Sequence, residues 1–147
     1  MAKIIRDVLT EFGANRPGFA WQDPELDHLS SAYARDGRQY LVIETHEGIV
    51  GGGGIGEFEC ELEGCCELQK MYLLPAFRGR DWGRQLLQAL LNEAQRMGYR
   101  QCYLETLSTM TKARRLYLET GFSALQAPLG NSGHNACDDW YLKTLQS

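Results

Sequence analysis

One stretch constrains the fold more than any other. The β-rich run Leu68–Leu74 is stopped by Pro75, followed by the basic glycine loop Arg78-Gly79-Arg80-Asp81-Trp82-Gly83-Arg84, and then by an amphipathic helix. In that helix Leu86, Leu87, Leu90, Leu91, Ala94 and Met97 fall on one face, while Arg84, Gln85, Gln88, Asn92, Glu93 and Arg96 fall on the other. Gly98 ends it, and Tyr99–Leu104 reads as the next strand. Strands alternating with helices in this way place the chain among α/β folds.

The flanks add a hairpin and more helix. Ile4, Ile5, Val8, Leu9 and Phe12 share one helical face that closes at Gly13. Asp23-Pro24 predicts a capped second helix carrying Leu26, Leu29 and Tyr33, and the loop before it, Ala14 to Gln22, holds Arg16, Phe19 and Trp21. Tyr40–Glu44, the turn Thr45–Gly48 and a strand opening at Ile49 predict a hairpin, so the sheet is expected to be mixed. Within it, Gly51-Gly52-Gly53-Gly54 lacks the following Lys-Ser/Thr helix of a phosphate-binding loop and reads as a strand approached closely by another backbone or a ligand. Thr109–Thr120 predicts a further helix, Gly121-Phe122 opens the next β segment, and Trp140–Leu145 forms the last strand. The expectation is a single domain over residues 1–147, three layers deep.

Length, charge and cysteine usage narrow the functional classes. With 15 Lys+Arg against 19 Asp+Glu among 147 residues, the net charge of −4 leaves no basic footprint for nucleic acid. No apolar run approaches the roughly 20 residues of a membrane span, and the start of the chain carries no signal-peptide hydrophobic region, so a cytoplasmic protein is expected. Cys60, Cys65, Cys66, Cys102 and Cys137 show no zinc spacing, and His28, His46 and His134 are scattered, so no metal is expected. The adjacent Cys65 and Cys66 should point to opposite faces of a strand and pack as small apolar groups.

The loop Arg78–Arg84 carries the chemistry. A glycine-bearing turn into a helix presents unpaired N–H groups at the positive end of the helix dipole, which attracts phosphate. Gly79 and Gly83 permit close backbone approach, and Arg78, Arg80 and Arg84 add positive charge. A plain turn with solvated arginines is the alternative at this point.

Downstream, Ala113-Arg114-Arg115-Leu116-Tyr117-Leu118-Glu119-Thr120-Gly121-Phe122 follows the pattern A-x-x-L-Y-x-x-x-G-F. With Glu67–Pro75 and the loop ahead of it, this segment resembles the GNAT family of N-acetyltransferases over roughly Tyr40 to Phe122. The resemblance implies a centrally splayed mixed sheet flanked by helices, and acetyl-CoA as co-substrate. Arg78, Gly79, Arg80, Asp81, Gly83 and Arg84 would surround its pyrophosphate. The backbone of Met71, Tyr72 and Leu73 would pair with the pantetheine arm like an added strand, and backbone donors there would polarise the acetyl carbonyl. Tyr117 matches the tyrosine that protonates the departing thiolate, and Glu67 is the candidate base, directly or through water. The acceptor would be a small primary amine attacking directly. The Asp138-Asp139 pair is either an attractant for a cationic acceptor or a solvated turn. Many relatives are dimers, and a homodimer is compatible with the chain.

Two departures stand out. Asp81 occupies a position that is glycine in the family motif, and its carboxylate is expected to turn from the ligand toward Arg80 or Arg84. The helical pattern starts at about Ile4, so the family's first strand is missing or shortened. Besides an enzyme, a non-catalytic acyl-CoA-binding or sensor module is consistent with Asp81, while the Tyr117 segment opposes it.

Overall fold

The computed structural model describes residues 1–79 and 81–145. Six strands form one open sheet: β1 (Gln39–Thr45), β2 (Gly48–Glu57), β3 (Cys65–Leu73), β4 (Gln101–Thr106), β5 (Ser123–Leu125) and β6 (Asp139–Thr144), in the order β1-β2-β3-β4-β6-β5. β3 and β4 are parallel, joined through α3 (Trp82–Arg96), and the other neighbours are antiparallel, so the mixed sheet is as expected. α1 (Ala2–Glu11) is the first element, and among the described residues no strand precedes it.

The helices cover both faces. Leu86, Leu87, Leu90, Leu91 and Ala94 of α3 are buried, and with Ile55, Cys66, Leu68, Leu73, Leu104 and Tyr141 of the sheet they form the larger core. Tyr117 of α4 (Thr111–Glu119) joins the same core. On the opposite face Ile5 and Leu9 of α1 pack with Phe19, Ala20 and Leu26, and Tyr72 of β3 lies against them. Cys65 and Cys66 do part company: Cys66 joins the α3 core, and Cys65 packs with Phe58 and Tyr103 on the other side.

The glycine run lies inside β2, and its smallness is explained by close approach. A Cβ at Gly53 would stand 2.9 Å from Leu90 Cδ1 and 3.1 Å from Met71 Cβ, and one at Gly54 would stand 2.8 Å from the Tyr33 ring. Packing on both faces therefore keeps this strand bare.

Two local expectations are corrected. The second helix is broken into a 3₁₀ segment, Pro24–His28, and one α turn, α2 (Leu29–Ala32). Asp23 makes no side-chain cap, because its carboxylate is drawn to Lys70 and His134, so the first turn lacks the bond that would set an α-helical start. The third strand begins at Cys65, three residues earlier than the β-rich run suggests, because Cys66 and Glu67 pair with Glu57 and Gly56 of β2.

Candidate active site

β3 and β4 are in register only from Cys65↔Gln101 to Glu67↔Tyr103. Beyond Glu67 the strands part, and the edge of β3 from Leu68 to Leu73 faces a gap instead of a neighbour. This opening lies toward the carboxyl ends of the only parallel pair among the described residues, the position at which open α/β sheets bind ligands. Across it, β4 leads to Leu107 and Met110 and then α4.

A distortion in β3 shapes the gap. The pairing with β2 shifts between Gly52↔Tyr72 and Gly54↔Gln69, and Lys70 takes φ 50°, a left-handed conformation that a non-glycine residue adopts only under constraint. The constraint is visible. The Lys70 side chain is 3% exposed, its Nζ lying 2.7 Å from Asp23 Oδ2 and 2.8 Å from Glu25 Oε1, and its carbonyl accepts from Tyr40 Oη at 2.8 Å. The bulge leaves Met71 facing the α3 core and Tyr72 facing α1.

The resulting cleft is small, about 70 Å³, and it gathers groups from distant parts of the sequence. Glu67, Met71, Tyr72 and Tyr117 all line it. Leu73 follows on the same strand edge. Tyr117 is buried, its ring edge-on to Phe122 with centroids 5.9 Å apart and tilted against Tyr141 at the same separation. Burial holds its phenol protonated, with a pKa well above the ordinary value.

Glu67 is 7% exposed, and burial raises its carboxyl to about 7 despite a 2.8 Å bond donated by Gln69 Nε2. Its surroundings were not foreseen from the sequence. Glu105, two residues beyond Tyr103 on β4, and His134, from the loop before β6, bring donor atoms within 4.8 Å of one another and of Glu67. His134 Nε2 stands 2.9 Å from Asp23 Oδ1. Burial disfavours the imidazolium, yet the Asp23 carboxylate outweighs this and raises the His134 pKa. Alternation along β4 could have found Glu105, which shares a face with Tyr103. Nothing in the spacing points to His134. Cys137 also lines the cleft, and burial pushes its thiol up to about 12, so it is a poor nucleophile.

The glycine loop runs from the end of β3 into α3. Gly79 takes φ 76°, with nothing within 4 Å of where a Cβ would stand, and Asp81 is the N-cap residue at φ 66°, without a side-chain cap bond. That backbone explains why glycine suits position 81, and aspartate is among the few other residues that tolerate it. As expected, the carboxylate turns to an arginine: Arg84 Nε meets Asp81 Oδ1 at 3.1 Å, and Arg84 also reaches Glu119 at 2.6 Å. Arg78 is turned onto α1, where it pairs in a fork with Glu11 at 2.8 and 2.9 Å and donates to the Leu73 carbonyl. Arg80 lies outside the described residues. Gly83 is helical and needs no special backbone, and a Cβ there would meet only Leu116 Cδ2 at 3.5 Å, an ordinary contact. Packing does not require glycine at 83. Its N–H, in the first turn, has no partner among the described residues.

A sequence model described as the acetyltransferase (GNAT) family matches residues 3–122. The chain belongs to this family. It is 38% identical over 146 residues to the uncharacterised N-acetyltransferase YjgM of Escherichia coli K12, covering 99% of this chain and 87% of that protein. A GNAT acetyltransferase of Staphylococcus aureus Mu50 superposes with a TM-score of 0.82 at 22% identity, over 99% of this chain and 90% of the other. A protein of Salmonella typhimurium, yncA, solved with its cofactor acetyl-CoA, superposes with a TM-score of 0.65 at 24% identity, over 85% and 74%. As a member of the GNAT family, the chain is an acetyltransferase that takes its acetyl group from acetyl-CoA.

The residues present suit that co-substrate. The free edge of β3 offers backbone groups to an extended amide-bearing chain, and the start of α3 offers N–H groups to phosphate. The two sites are adjacent along one chain direction. The arginines add less than their number suggests, because Arg78 and Arg84 already hold carboxylates.

Proposed function

We propose that the protein transfers the acetyl group of acetyl-CoA to the primary amine of a small acceptor by direct attack, with the whole chain acting as one catalytic unit in the cytoplasm. The observation that carries this reading is the pairing of Glu67 and Tyr117 in one cleft, at the point where β3 and β4 separate. One carboxyl has its pKa raised to about 7, and one phenol is held protonated. The environments push an acid and a base toward opposite roles.

In this proposal the β3 edge at Met71, Tyr72 and Leu73 aligns the pantetheine arm. Backbone N–H groups of the loop and of α3, with Gly79 and Gly83 leaving room, hold the pyrophosphate; Arg78, Arg80 and Arg84 supply positive charge, and Asp81 remains engaged with Arg84. Holding amine and thioester together supplies much of the acceleration. Glu67 takes the proton from the acceptor ammonium or from the attacking nitrogen, directly or through water. The new C–N bond forms as the C–S bond breaks, and Tyr117 donates its proton to the departing sulfur. A thiol-linked route through Cys137 is disfavoured by its raised pKa.

Turnover of acetyl-CoA with a panel of small amines tests the reading, followed as released thiol and as acetylated product by mass spectrometry. Acetylation of at least one amine, reduced tenfold or more in Glu67→Gln, is the expected result. Tight binding of coenzyme A with no product from any amine would favour a sensor and overturn the proposal.

A further inference from the structure

The cleft contains two carboxylates with different partners and, among the described residues, two cations that are each paired with Asp23. Glu67 receives one bond, from Gln69, and Glu105 receives bonds from Tyr103 Oη at 2.7 Å and from Ser132. Both belong to strands that diverge at this point, so both flank the same opening. The cations in the lining are Lys70 and His134. Lys70 Nζ is held by Asp23 and Glu25, and His134 Nε2 is held by Asp23. Among the described residues Asp23 therefore pairs with both positive groups. Arg16 lies outside the lining, exposed, with its guanidinium 5.6 Å from the Phe19 ring centroid.

We propose that Glu105, facing Glu67 across the splayed strands, selects acceptors whose reactive ammonium has no carboxylate beside it. The acceptor class is the compact alkyl amine or diamine, and α-amino acids are rejected. This rests on the acetyltransferase reading above and adds the chemistry of the acceptor. A primary ammonium placed between Glu67 and Glu105 gains two charge-assisted contacts, whose accepting oxygens lie within 4.8 Å of each other. An α-carboxylate on the same carbon would sit against those two acidic groups, and the nearby cation, His134, is already paired with Asp23. Like charges at such separations in a partly dry cleft cost far more than a factor of ten in affinity. The remaining walls, Leu9, Phe19, Ala20, Leu107 and Met110, accept an apolar tail and hold no second anion-binding group.

Matched pairs differing only in the carboxylate test this: ethylamine against alanine, and isobutylamine against valine. Two readouts are taken, the kcat/KM of acetyl transfer and the binding of each amine to the protein saturated with coenzyme A. Preference for the decarboxylated partner by roughly tenfold or more in each pair is expected. Glu105→Gln, which keeps the shape and one of the two accepted hydrogen bonds, should raise the KM for the amine and narrow the preference, with the KM for acetyl-CoA unchanged. Equal or better use of the α-amino acids, an unaltered preference in Glu105→Gln, or no binding of any amine to the coenzyme A complex overturns the assignment. Absence of coenzyme A binding itself would instead remove the acetyltransferase reading, so the two failures are distinct.

Discussion

Gly83 offers a test in which the fold and the ligand pull in opposite directions. It is the second residue of α3, its backbone is ordinary helix, and an added Cβ meets only Leu116 Cδ2 at 3.5 Å. Replacing glycine with alanine in a helix gains up to about 0.5–1 kcal/mol, because the unfolded chain has less freedom to lose. For 147 residues the unfolding entropy is roughly 0.3 kcal/mol/K, so the ligand-free protein should melt up to about 3 °C higher. With coenzyme A at about 100 times its dissociation constant, the wild type should gain about 2.7 kcal/mol, or roughly 9 °C. If the methyl group keeps the pyrophosphate from the N–H of residue 83 and weakens binding tenfold, the same ligand concentration gives about 1.4 kcal/mol, or roughly 4–5 °C. A thermal melt with and without coenzyme A reads both effects in one experiment. An undiminished ligand shift in Gly83→Ala would mean that glycine at 83 has nothing to do with the co-substrate. A large drop in the ligand-free melting temperature would mean that packing at Leu116 has no room for the methyl.

The other predictions concern the acid, the base and the loop. Since Glu67 must be ionised to accept a proton, the rate should rise as pH passes upward through about 7, and Glu67→Gln should lower kcat/KM by roughly ten- to a thousandfold and flatten that limb. A pH–rate profile of wild-type shape in the variant refutes the assignment. The same raised pKa makes Glu67 a stabilising group below about pH 4.5, and its contribution, roughly 3 kcal/mol at most, is lost as pH rises through about 7. Glu67→Gln should consequently match or exceed the wild type in urea melts at pH 8, and a markedly less stable variant there contradicts the raised pKa. Tyr117→Phe keeps the ring contacts with Phe122 and Tyr141, so it should fold normally and bind coenzyme A as before while turnover falls; a wild-type rate with chemistry limiting would reduce Tyr117 to a packing residue. Asp81→Gly removes a left-handed aspartate, a strain of about 1–2 kcal/mol, at the loss of an ion pair with Arg84 whose side chains are 61% and 47% exposed and which is worth at most about 1 kcal/mol. The KM for acetyl-CoA should fall severalfold with the melting temperature steady or higher, and a raised KM would show that Asp81 helps the loop bind.

Where local chemistry decides the structure, the sequence was sufficient. The period of α3 names its buried leucines, Pro75 and Gly98 bracket the crossover, and Asp81 in a glycine position foretells the pairing with Arg84. Tyr117 was legible because four flanking residues fix its place in a motif. Strand ends moved by one to three residues, since pairing partners set them: Cys65 and Cys66 enter β3 because β2 and β4 are there to receive them. The splay itself has no signature in the alternation of either strand, because both remain strands after they part.

Asp23 shows why the acceptor side of the cleft stayed hidden. In sequence, Asp23-Pro24 is a helix start, and that reading would satisfy the carboxylate with backbone N–H groups three residues away. The fold instead brings Lys70 from the bulge of β3 and His134 from the loop before β6 to the same carboxylate, across 47 and 111 positions of chain. A buried ammonium without a partner would cost several kcal/mol, more than the roughly 1 kcal/mol of a surface cap, so the long-range pairs win and the helix begins as a 3₁₀ turn. The same choice pairs both cations of the cleft lining with Asp23, while Glu67 and Glu105 flank the opening. Local weakness at Pro24 and acidity at the acceptor site are thus two consequences of one carboxylate. Asp23→Asn should disturb both, weakening discrimination against α-amino acids as His134 loses the carboxylate that holds it and Lys70 keeps only Glu25.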